Sequence, residues 1–439
     1  MLLEFRCSNY KSFKDEFVFS MKPHVLQKGL DYSIQKTTIG KKEYKSLSST
    51  VIYGPNASGK TNIIEAIETL KKIITRGHIN NVEENIPNYA ACTLELIPNY
   101  ISTAPTSFSI EFINDNYLFN YSIEIDLGAF LIPDAERKII SEKLFVNEKP
   151  VFKRETDRID VFKVPDFYNE TVVSFFDNAI DISNSSLKDT ELFLSNGLKN
   201  IFNPTFFASF IEWFYIKLET IVRADSINSI PVASALANER LYVDQNLNRA
   251  LAEFGVINSS VGYTNDKDGK PIVLSLIGKE KATRAIPSEV FESYGTIRFI
   301  NEFPIIMKTF SEGGILIIDE FDASIHPMAL MSIINVFHND ELNKKHAQLV
   351  FNTHNPIFLD HTLFRRDEIK FVEYDKDQMT SVLYSLSDFN TSETSGTRKN
   401  SDYMKNYFVN RYGAITNVDF SSVFEAIMKN SSEDKTNEG

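Results

Sequence analysis

The segment IYGPNASGKTN, at residues 52–62, constrains the fold of this chain more than any other feature. Gly54, Gly59, Lys60 and Thr61 fill the spacing G-x-x-x-x-G-K-[ST]. The apolar stretch STVIY precedes the segment, and apolar residues at helical spacing follow it as far as Gly77. A buried strand, a glycine-rich turn and a helix in this order predict a phosphate-binding loop rather than a chance glycine-rich turn.

Every residue of this loop from the first glycine onward is predicted to contact a nucleotide. The glycines let backbone N–H groups point at a phosphate, the lysine can reach the β- and γ-phosphates, and the threonine hydroxyl can bind Mg²⁺. The predicted contacts are Gly54, Pro55, Asn56, Ala57, Ser58, Gly59, Lys60, Thr61 and Asn62.

A second motif, GGILIIDEFDASIHP, follows at residues 313–327. Its four apolar residues predict a buried parallel strand that ends in the carboxylates Asp319 and Glu320. We expect Asp319 to bind Mg²⁺ together with Thr61, and Glu320 to orient or deprotonate the attacking water. The alternative is an ordinary strand that ends in a surface acidic pair. It is less favoured because the phosphate-binding loop is present.

Two shorter motifs lie on either side of the acidic strand. In QLVFNTHNPIFLD an apolar strand ends at His354, which could contact the γ-phosphate or could be a surface histidine in an Asn-Pro turn. In ESYGTIRFI, Ser293 and Gly295 are typical of a helix N-terminus with free N–H groups for an anion, although such a pair is often only a helix cap.

Composition excludes several classes of protein. The 439 residues are 43% hydrophobic, which allows a substantial core. Their net charge of −13 argues against a surface covered in DNA-binding charge but leaves room for a local basic groove. Two cysteines exclude a disulfide framework or a cysteine-rich zinc site, and no apolar run has the length of a membrane span. We therefore expect a cytoplasmic protein with no membrane partner.

Changes in pattern along the chain divide it into four parts. Residues 1–164 read as a strand-rich lobe with the phosphate-binding loop, and 165–260 as a mostly helical insertion. Residues 261–395 carry the later motifs, and 396–439 form a C-terminal segment with a polar tail. The insertion is predicted to contain helices in TELFLSNGLKNIF, PTFFASFIEWFYIKLETIV and LNRALAEFGV.

The order of the motifs resembles that of the ABC-type ATPase heads, which are α/β proteins. The resemblance makes Ser293–Tyr294–Gly295 the signature motif, ASIH at 323–326 the D-loop, and His354 the switch histidine. It implies that the cofactors are ATP and Mg²⁺. It also implies a homodimer or higher homo-oligomer, in which Ser293 and Gly295 of one head complete the nucleotide site of the other.

Within these heads the chain resembles the AbiL and RloA ATPases of abortive-infection and phage-defence systems, which are related to RecF, SMC and overcoming-lysogenization heads. The segments NYKSF, GPNASGKTN, SYGT, IIDEFDASIHP, NTHNP, RRDEI and SDYMKN…NRYGAI carry the resemblance, over roughly residues 1–125 and 285–415. Two features depart from the pattern. The Q-loop glutamine is missing, so that residues 93–96 or Glu142 would have to replace it. Pro304 also predicts a kinked or short helix after Ser293.

The resemblance implies an ATPase that dimerises on ATP and regulates a separate effector, plausibly a nuclease encoded nearby. The pairs Asp266–Asp268 and Asp375–Asp377 look like turns rather than a nuclease metal site. The segment NRYGAI either closes a turn or docks the partner. A RecF-like repair ATPase and a non-hydrolysing scaffold are the alternatives.

Nucleic-acid binding also stays open at this point. It could use a basic cluster, whose residues are Lys149, Lys153, Arg154 and Arg158. The interleaved acidic residues favour a solvated mixed-charge face instead.

Overall fold

The computed structural model describes residues 1–80, 96–128, 136–156, 158–168, 175–197, 201–222, 241–278, 284–389, 401–416 and 418–425. The predicted polar tail at 431–439 lies outside these residues. No helix within them is both long and apolar enough to cross a membrane.

Strands and helices alternate in the second half of the chain, whereas strands dominate the first. The strands are β1 Leu2–Ser8, β2 Phe17–Ser20, β3 Ile34–Ile39, β4 Lys42–Leu47, β5 Ser49–Tyr53, β6 Thr106–Asn114, β7 Tyr117–Asp126, β8 Lys138–Val146, β9 Lys149–Glu155, β10 Arg158–Val161, β11 Leu218–Ile221, β12 Ser259–Asn265, β13 Pro271–Ile277, β14 Arg284–Pro287, β15 Ile315–Ile318, β16 Gln348–Asn352, β17 Ile369–Asp375 and β18 Thr380–Ser385. The α-helices are α1 Lys60–Arg76, α2 Phe176–Ser186, α3 Pro204–Glu212, α4 Gln245–Phe254, α5 Ser288–Phe291, α6 Tyr294–Glu312, α7 Pro327–His338 and α8 Tyr403–Phe408.

A six-stranded sheet in the order β11-β15-β16-β5-β17-β18 forms the centre of the protein. All of its pairings are parallel except that of β17 with β18. Successive residues face opposite cores: Ile52 of β5 packs with α1 and the N-terminal lobe, whereas Val51 packs with α6 and α7. Burial on both faces explains why these strands read as continuous apolar runs.

The N-terminal lobe is a seven-stranded antiparallel sheet in the order β10-β9-β8-β7-β6-β1-β2. Two hairpins form within it: β6 pairs with β7, and β8 pairs with β9. Trp213 covers one face of the sheet, where its ring stacks on that of Phe112 with 4.1 Å between centroids. The α/β class and the strand-rich lobe are thus as expected.

The interval 165–260 is mostly helical where it is described, but it is not independent of the central sheet. Strand β11 pairs in parallel with β15, from Leu218 opposite Ile315 to Ile221 opposite Ile318. The helix predicted to run to residue 222 is therefore wrong beyond the π-helical turn Trp213–Lys217. Pairing at a buried sheet edge overrides the local helical pattern.

The helix predicted in TELFLSNGLKNIF is also wrong where it is described. Only the short π-helical turn Phe193–Gly197 forms there. The N–H groups of Phe193 and Leu194 donate to the carboxylate of Glu142 instead. The third predicted helix, in LNRALAEFGV, is confirmed as α4.

Helix α6 is not short, although Pro304 lies inside it. It runs for 19 residues and is capped at both ends, by the Ser293 side chain and by Gly313 at φ 69°. Because Phe299, Ile300 and other apolar side chains pack into the core, burial offsets the hydrogen bond that proline cannot make.

Glu142 does not replace the missing Q-loop glutamine; it holds the N-terminal lobe together. Its carboxylate is fully buried and accepts hydrogen bonds from two backbone N–H groups and from the Tyr121 hydroxyl. The Arg154 guanidinium, 2% exposed, lies 4.0 Å away. Burial raises the pKa of Glu142 while these partners oppose the shift. Of the other suggested positions, residues 93–95 lie outside the described residues.

Replacing Glu142 by leucine should destabilise the fold without weakening nucleotide binding. The variant leaves Arg154 buried without its partner, which costs about 3–5 kcal/mol. Denaturant unfolding measures the loss. The control is Glu155→Leu on the neighbouring strand, where the side chain is 70% exposed and the loss should stay below about 1 kcal/mol. A stable Glu142→Leu chain that no longer binds nucleotide would contradict the structural role.

Candidate nucleotide-binding site

The loop between β5 and α1 has the geometry that the sequence predicted, and two glycines are required there. A Cβ on Gly54 would lie 2.3 Å from the Val372 carbonyl oxygen. Gly59 has φ 106°, and a Cβ on it would lie 2.5 Å from Ser12 Oγ and 2.7 Å from Ser381 Oγ. Any side chain at either position would push the loop away from the strands that support it.

Lys60 folds back over the loop. Its ammonium donates to the carbonyl oxygens of Gly54 and Pro55, both at 2.9 Å. Burial lowers the pKa of Lys60 to about 8, and the carboxylates of Asp319 and Glu320 oppose the shift. The ammonium is thus held at the loop by neutral carbonyls, and no ion pair neutralises it there within the described residues.

Three polar side chains support the loop through hydrogen bonds. Two of them, Ser12 and Ser381, were not predicted from the sequence. Asn62, a predicted site residue, donates to Ser12 Oγ at 2.7 Å. Ser381 on β18 donates to the Ser58 carbonyl oxygen at 2.6 Å and lies 2.7 Å from Ser12 Oγ. The serine in NYKSF offered a signal for the first contact, but nothing in the sequence links Ser381 to the loop.

The predicted magnesium residues lie together. The Thr61 hydroxyl donates to the two carboxylate oxygens of Asp319, at 3.0 and 3.1 Å. Asn352 was missed: its amide donates to Asp319 Oδ1, and its own oxygen accepts the Glu320 N–H at 2.6 Å. Burial raises the pKa of Asp319, and hydrogen bonds from Asn352 and Thr61 oppose the shift. Asn352 ends the strand beside β15, so parallel pairing could have pointed to it.

Glu320 has an unusual backbone conformation for its residue type. Its φ of 49° lies in the left-handed region, and its side chain is exposed. Arg298 of α6 donates to its carbonyl oxygen at 2.7 Å and is itself paired with Glu302 at 2.6 Å. A strained position that neighbouring groups hold in place is typical of a functional residue.

His354 lies at the same edge of the sheet, just beyond β16, and is exposed. Partial desolvation and the nearby Lys60 ammonium lower its pKa, while Glu320 and Asp322 oppose the shift. The imidazole is therefore within electrostatic reach of both the loop lysine and Glu320.

The signature segment, Ser293–Tyr294–Gly295, forms the N-terminus of α6. Ser293 caps α6, accepting the Thr296 N–H at 3.2 Å, and it is exposed along with Tyr294. A Cβ on Gly295 would lie 2.1 Å from the carbonyl oxygen of Ser324, so glycine is needed for the close approach to the predicted D-loop. Among the described residues, the side-chain hydrogen bonds of Ser293 stay within its own helical turn and do not reach the phosphate-binding loop.

The donor set fits Mg²⁺ that is shared with a phosphate ligand. The described part of the chain contains no group of three or more His, Cys, Asp or Glu side chains that could hold a metal alone. Mg²⁺ is usually bound by one or two protein oxygens, with phosphates and water as its other ligands. Thr61 and Asp319 offer oxygens of this kind, and the buried Ser58 Oγ beside them has no partner in the described residues.

Asn352→Leu should weaken the use of Mg²⁺ while leaving the loop intact. Leucine keeps the size of the side chain but removes the hydrogen bonds to Asp319 and Glu320. Loss of such an orienting residue typically costs about 10–100-fold in metal affinity. A titration of Mg²⁺ against nucleotide binding measures the shift, with binding in chelator as the control. An unchanged Mg²⁺ midpoint would contradict the role of Asn352.

Comparison with known proteins assigns the chain to a family. The SMC head domain from Thermotoga maritima is similar at 14% identity, with 88% of this chain and 98% of that chain covered and a TM-score of 0.36. No curated protein matches the chain. A family model described as "AAA domain, putative AbiEii toxin, Type IV TA system" matches residues 49–360, more than half of the chain. The chain therefore belongs to this family of AAA domains.

Proposed function

We propose that the chain binds ATP with Mg²⁺ and hydrolyses the γ-phosphate. The observation that carries the proposal is the hydrogen-bonded path from Thr61 through Asp319 and Asn352 to the backbone of Glu320. It joins the loop that would hold the phosphates to the carboxylate that would act on water. Such positioning of a phosphoryl group, a metal and a base is the main requirement of phosphoryl transfer.

Each side chain then has a defined task. Lys60 holds the β- and γ-phosphates with its ammonium, and Thr61 and Asp319 supply oxygens to the metal, which neutralises phosphate charge when bound. Glu320 orients the attacking water and takes its proton. His354 contacts the γ-phosphate from the neighbouring strand end, and the lowered pKa of its ring favours the neutral imidazole as the hydrogen-bonding form.

We further propose that two copies complete each other's sites. The exposed Ser293, whose hydrogen bonds to Thr296 stay within its own helical turn, supports this arrangement. The N-terminus of α6 behind it could offer N–H groups to an anion on a second copy. Gly295 and Ser324 bring the signature and the D-loop to one surface, which suits a two-fold contact.

The biological role that we propose is that of a sensor or regulator in anti-phage defence, in the cytoplasm, with a separate effector. The family match and the resemblance to AbiL and RloA ATPases support it. Both Asp-x-Asp pairs support a separate nuclease because they are turns. Asp266 Oδ1 accepts the N–H of Asp268, and Asp375 Oδ1 accepts that of Asp377, both at 2.9 Å.

The C-terminal segment is the surface that we propose for the effector. Phe408, Val409 and Phe420 are each 60–65% exposed there, near Arg411. Tyr412 of NRYGAI is buried, which agrees with the alternative that this segment closes a packed turn. A packed turn and a docking surface are compatible.

Two other functions would have distinct signatures. The RecF-like repair ATPase would be favoured by ATP-dependent binding to DNA ends or gaps. The basic cluster gives it little support, because Arg154 is buried and Arg158 pairs with Asp160 at 3.0 Å. The non-hydrolysing scaffold would be excluded by measurable turnover.

Glu320→Gln should bind ATP but turn it over about 10²–10⁴-fold more slowly, because an amide cannot take the proton from water. With ATP the variant should sediment as a dimer. Lys60→Ala should lose binding, and Glu341→Gln, an exposed carboxylate on the surface, should behave like the parent. Parental turnover by Glu320→Gln would remove it as the base, and a monomer in saturating ATP would contradict dimerisation.

Protection against phage should require the neighbouring gene product. Cells that express this chain alone should be as sensitive as the empty control, and cells that express both proteins should be protected. The double variant Asp375→Asn, Asp377→Asn should protect as well as the parent when the neighbour is present. Protection or nucleic-acid cleavage by this chain alone that disappears in the double variant would place the effector in this chain.

A further inference from the structure

A groove runs between the outer strands of the two large sheets. Strand β2 ends the seven-stranded sheet and β18 ends the central sheet, among the described strands. The space between them has a volume of about 700 Å³, within the range of small-molecule sites. Val18 and Val382 lie on its two walls, and serine and threonine residues also line it.

We propose that this groove binds a small ligand through a single oxyanion, a carboxylate or a phosphate, that is held by Lys370. This site lies beside the phosphate-binding loop but does not include its residues, and it does not depend on ATP hydrolysis.

Lys370 carries the proposal because it is a buried cation without a partner. It is 7% exposed and lines the groove from β17. In the described part of the chain its ammonium makes no hydrogen bond or ion pair. An ammonium in such a place needs oxygen acceptors, because burial without them is costly. Burial lowers the pKa of Lys370, and the carboxylates of Asp367, Asp388 and Glu368 oppose that shift.

The carboxylates near Lys370 accept hydrogen bonds from other groups, and none of them forms an ion pair with Lys370 in the described part of the chain. Asp367 accepts two hydrogen bonds from Arg365, both at 2.9 Å, and another from the His24 N–H. Asp388 accepts the Ser385 N–H at 2.8 Å. Glu368 accepts the Arg365 N–H at 2.7 Å.

The other charged residues of the groove are either paired or exposed. Lys22 pairs with Glu111 at 2.8 Å, and Glu16 pairs with Arg6 at 3.0 Å. Asp15 is exposed at the entrance. The groove therefore has one buried charge that is left for a ligand, and it is positive.

The wall residues indicate what the rest of the ligand is like. Val18 and Val382 are 38% and 46% exposed, so each offers an apolar surface to the groove. Ser387 and Ser20 add hydroxyls on either side. A compact molecule with one acid group and a partly apolar body matches this lining better than a polyanion, which the carboxylates around Lys370 would repel.

The test uses inorganic phosphate and butyrate as probes, in separate calorimetric titrations. The protein is the full chain with Lys60→Ala, so that the phosphate-binding loop does not compete. At least one probe should bind, and Lys370→Met in this background should weaken that binding by about tenfold or more. Binding of phosphate alone identifies a phosphate ligand, and binding of butyrate alone identifies a carboxylate ligand.

Two further variants separate the site from general effects. Lys22→Met removes a groove lysine that is already paired, and it should leave binding within about threefold of the background protein. Val382→Glu places a carboxylate at an exposed wall position and should weaken binding even if Lys370→Met fails to fold. The proposal is overturned if neither probe binds at millimolar concentration, or if a folded Lys370→Met chain binds as tightly as the background protein.

Discussion

The hydrogen bonds from Thr61 to Asp319 join residues 258 positions apart, and the rest of the site depends on them. They form because β5 and β15 both pair with β16 in parallel, so that their carboxyl ends meet at one edge of the sheet. This edge receives the phosphate-binding loop from one strand and the acidic pair from another. Asn352, at the end of the strand between them, ties Asp319 to the backbone of Glu320.

Much of this arrangement could be predicted from the sequence because it follows from simple rules. The spacing of Gly54, Gly59 and Lys60 allows few conformations other than a phosphate cradle, and the helix that follows ends at Gly77, as its pattern indicates. The acidic strand was also recognisable, since four apolar residues before two carboxylates suit a strand that is buried on both faces.

The parts that could not be predicted depend on contacts between distant segments. Strand β11 has the local pattern of a helix, and only its pairing with β15 makes it extended. The sequence does not reveal that the Glu142 carboxylate is enclosed by Tyr121 and two backbone N–H groups. For this reason Glu142 was a candidate for the Q-loop position. Ser381 reaches the phosphate-binding loop from a strand more than 300 positions away. Lys370 looks like any strand lysine until its burial is known.

Two positions near the site are strained or crowded. Glu320 holds a left-handed backbone, and Arg298 fixes its carbonyl oxygen. Gly295 packs so close to Ser324 that no side chain fits between them. The segment that contains Gly295 belongs to the surface that we propose for contact with a second copy, and this pairing of two chains is the central claim.

Mixing two inactive chains tests this claim most directly. Lys60→Ala removes the phosphate contact, and Ser293→Arg places a bulky cation at an exposed position of the proposed contact surface. Each alone should lack turnover, but a mixed dimer contains one intact composite site. An equal mixture should therefore recover about one quarter of the parental ATP turnover, because half of the dimers are mixed and each has one working site of two. No recovery when cross-linking detects mixed dimers, or full turnover by Ser293→Arg alone, would contradict the account.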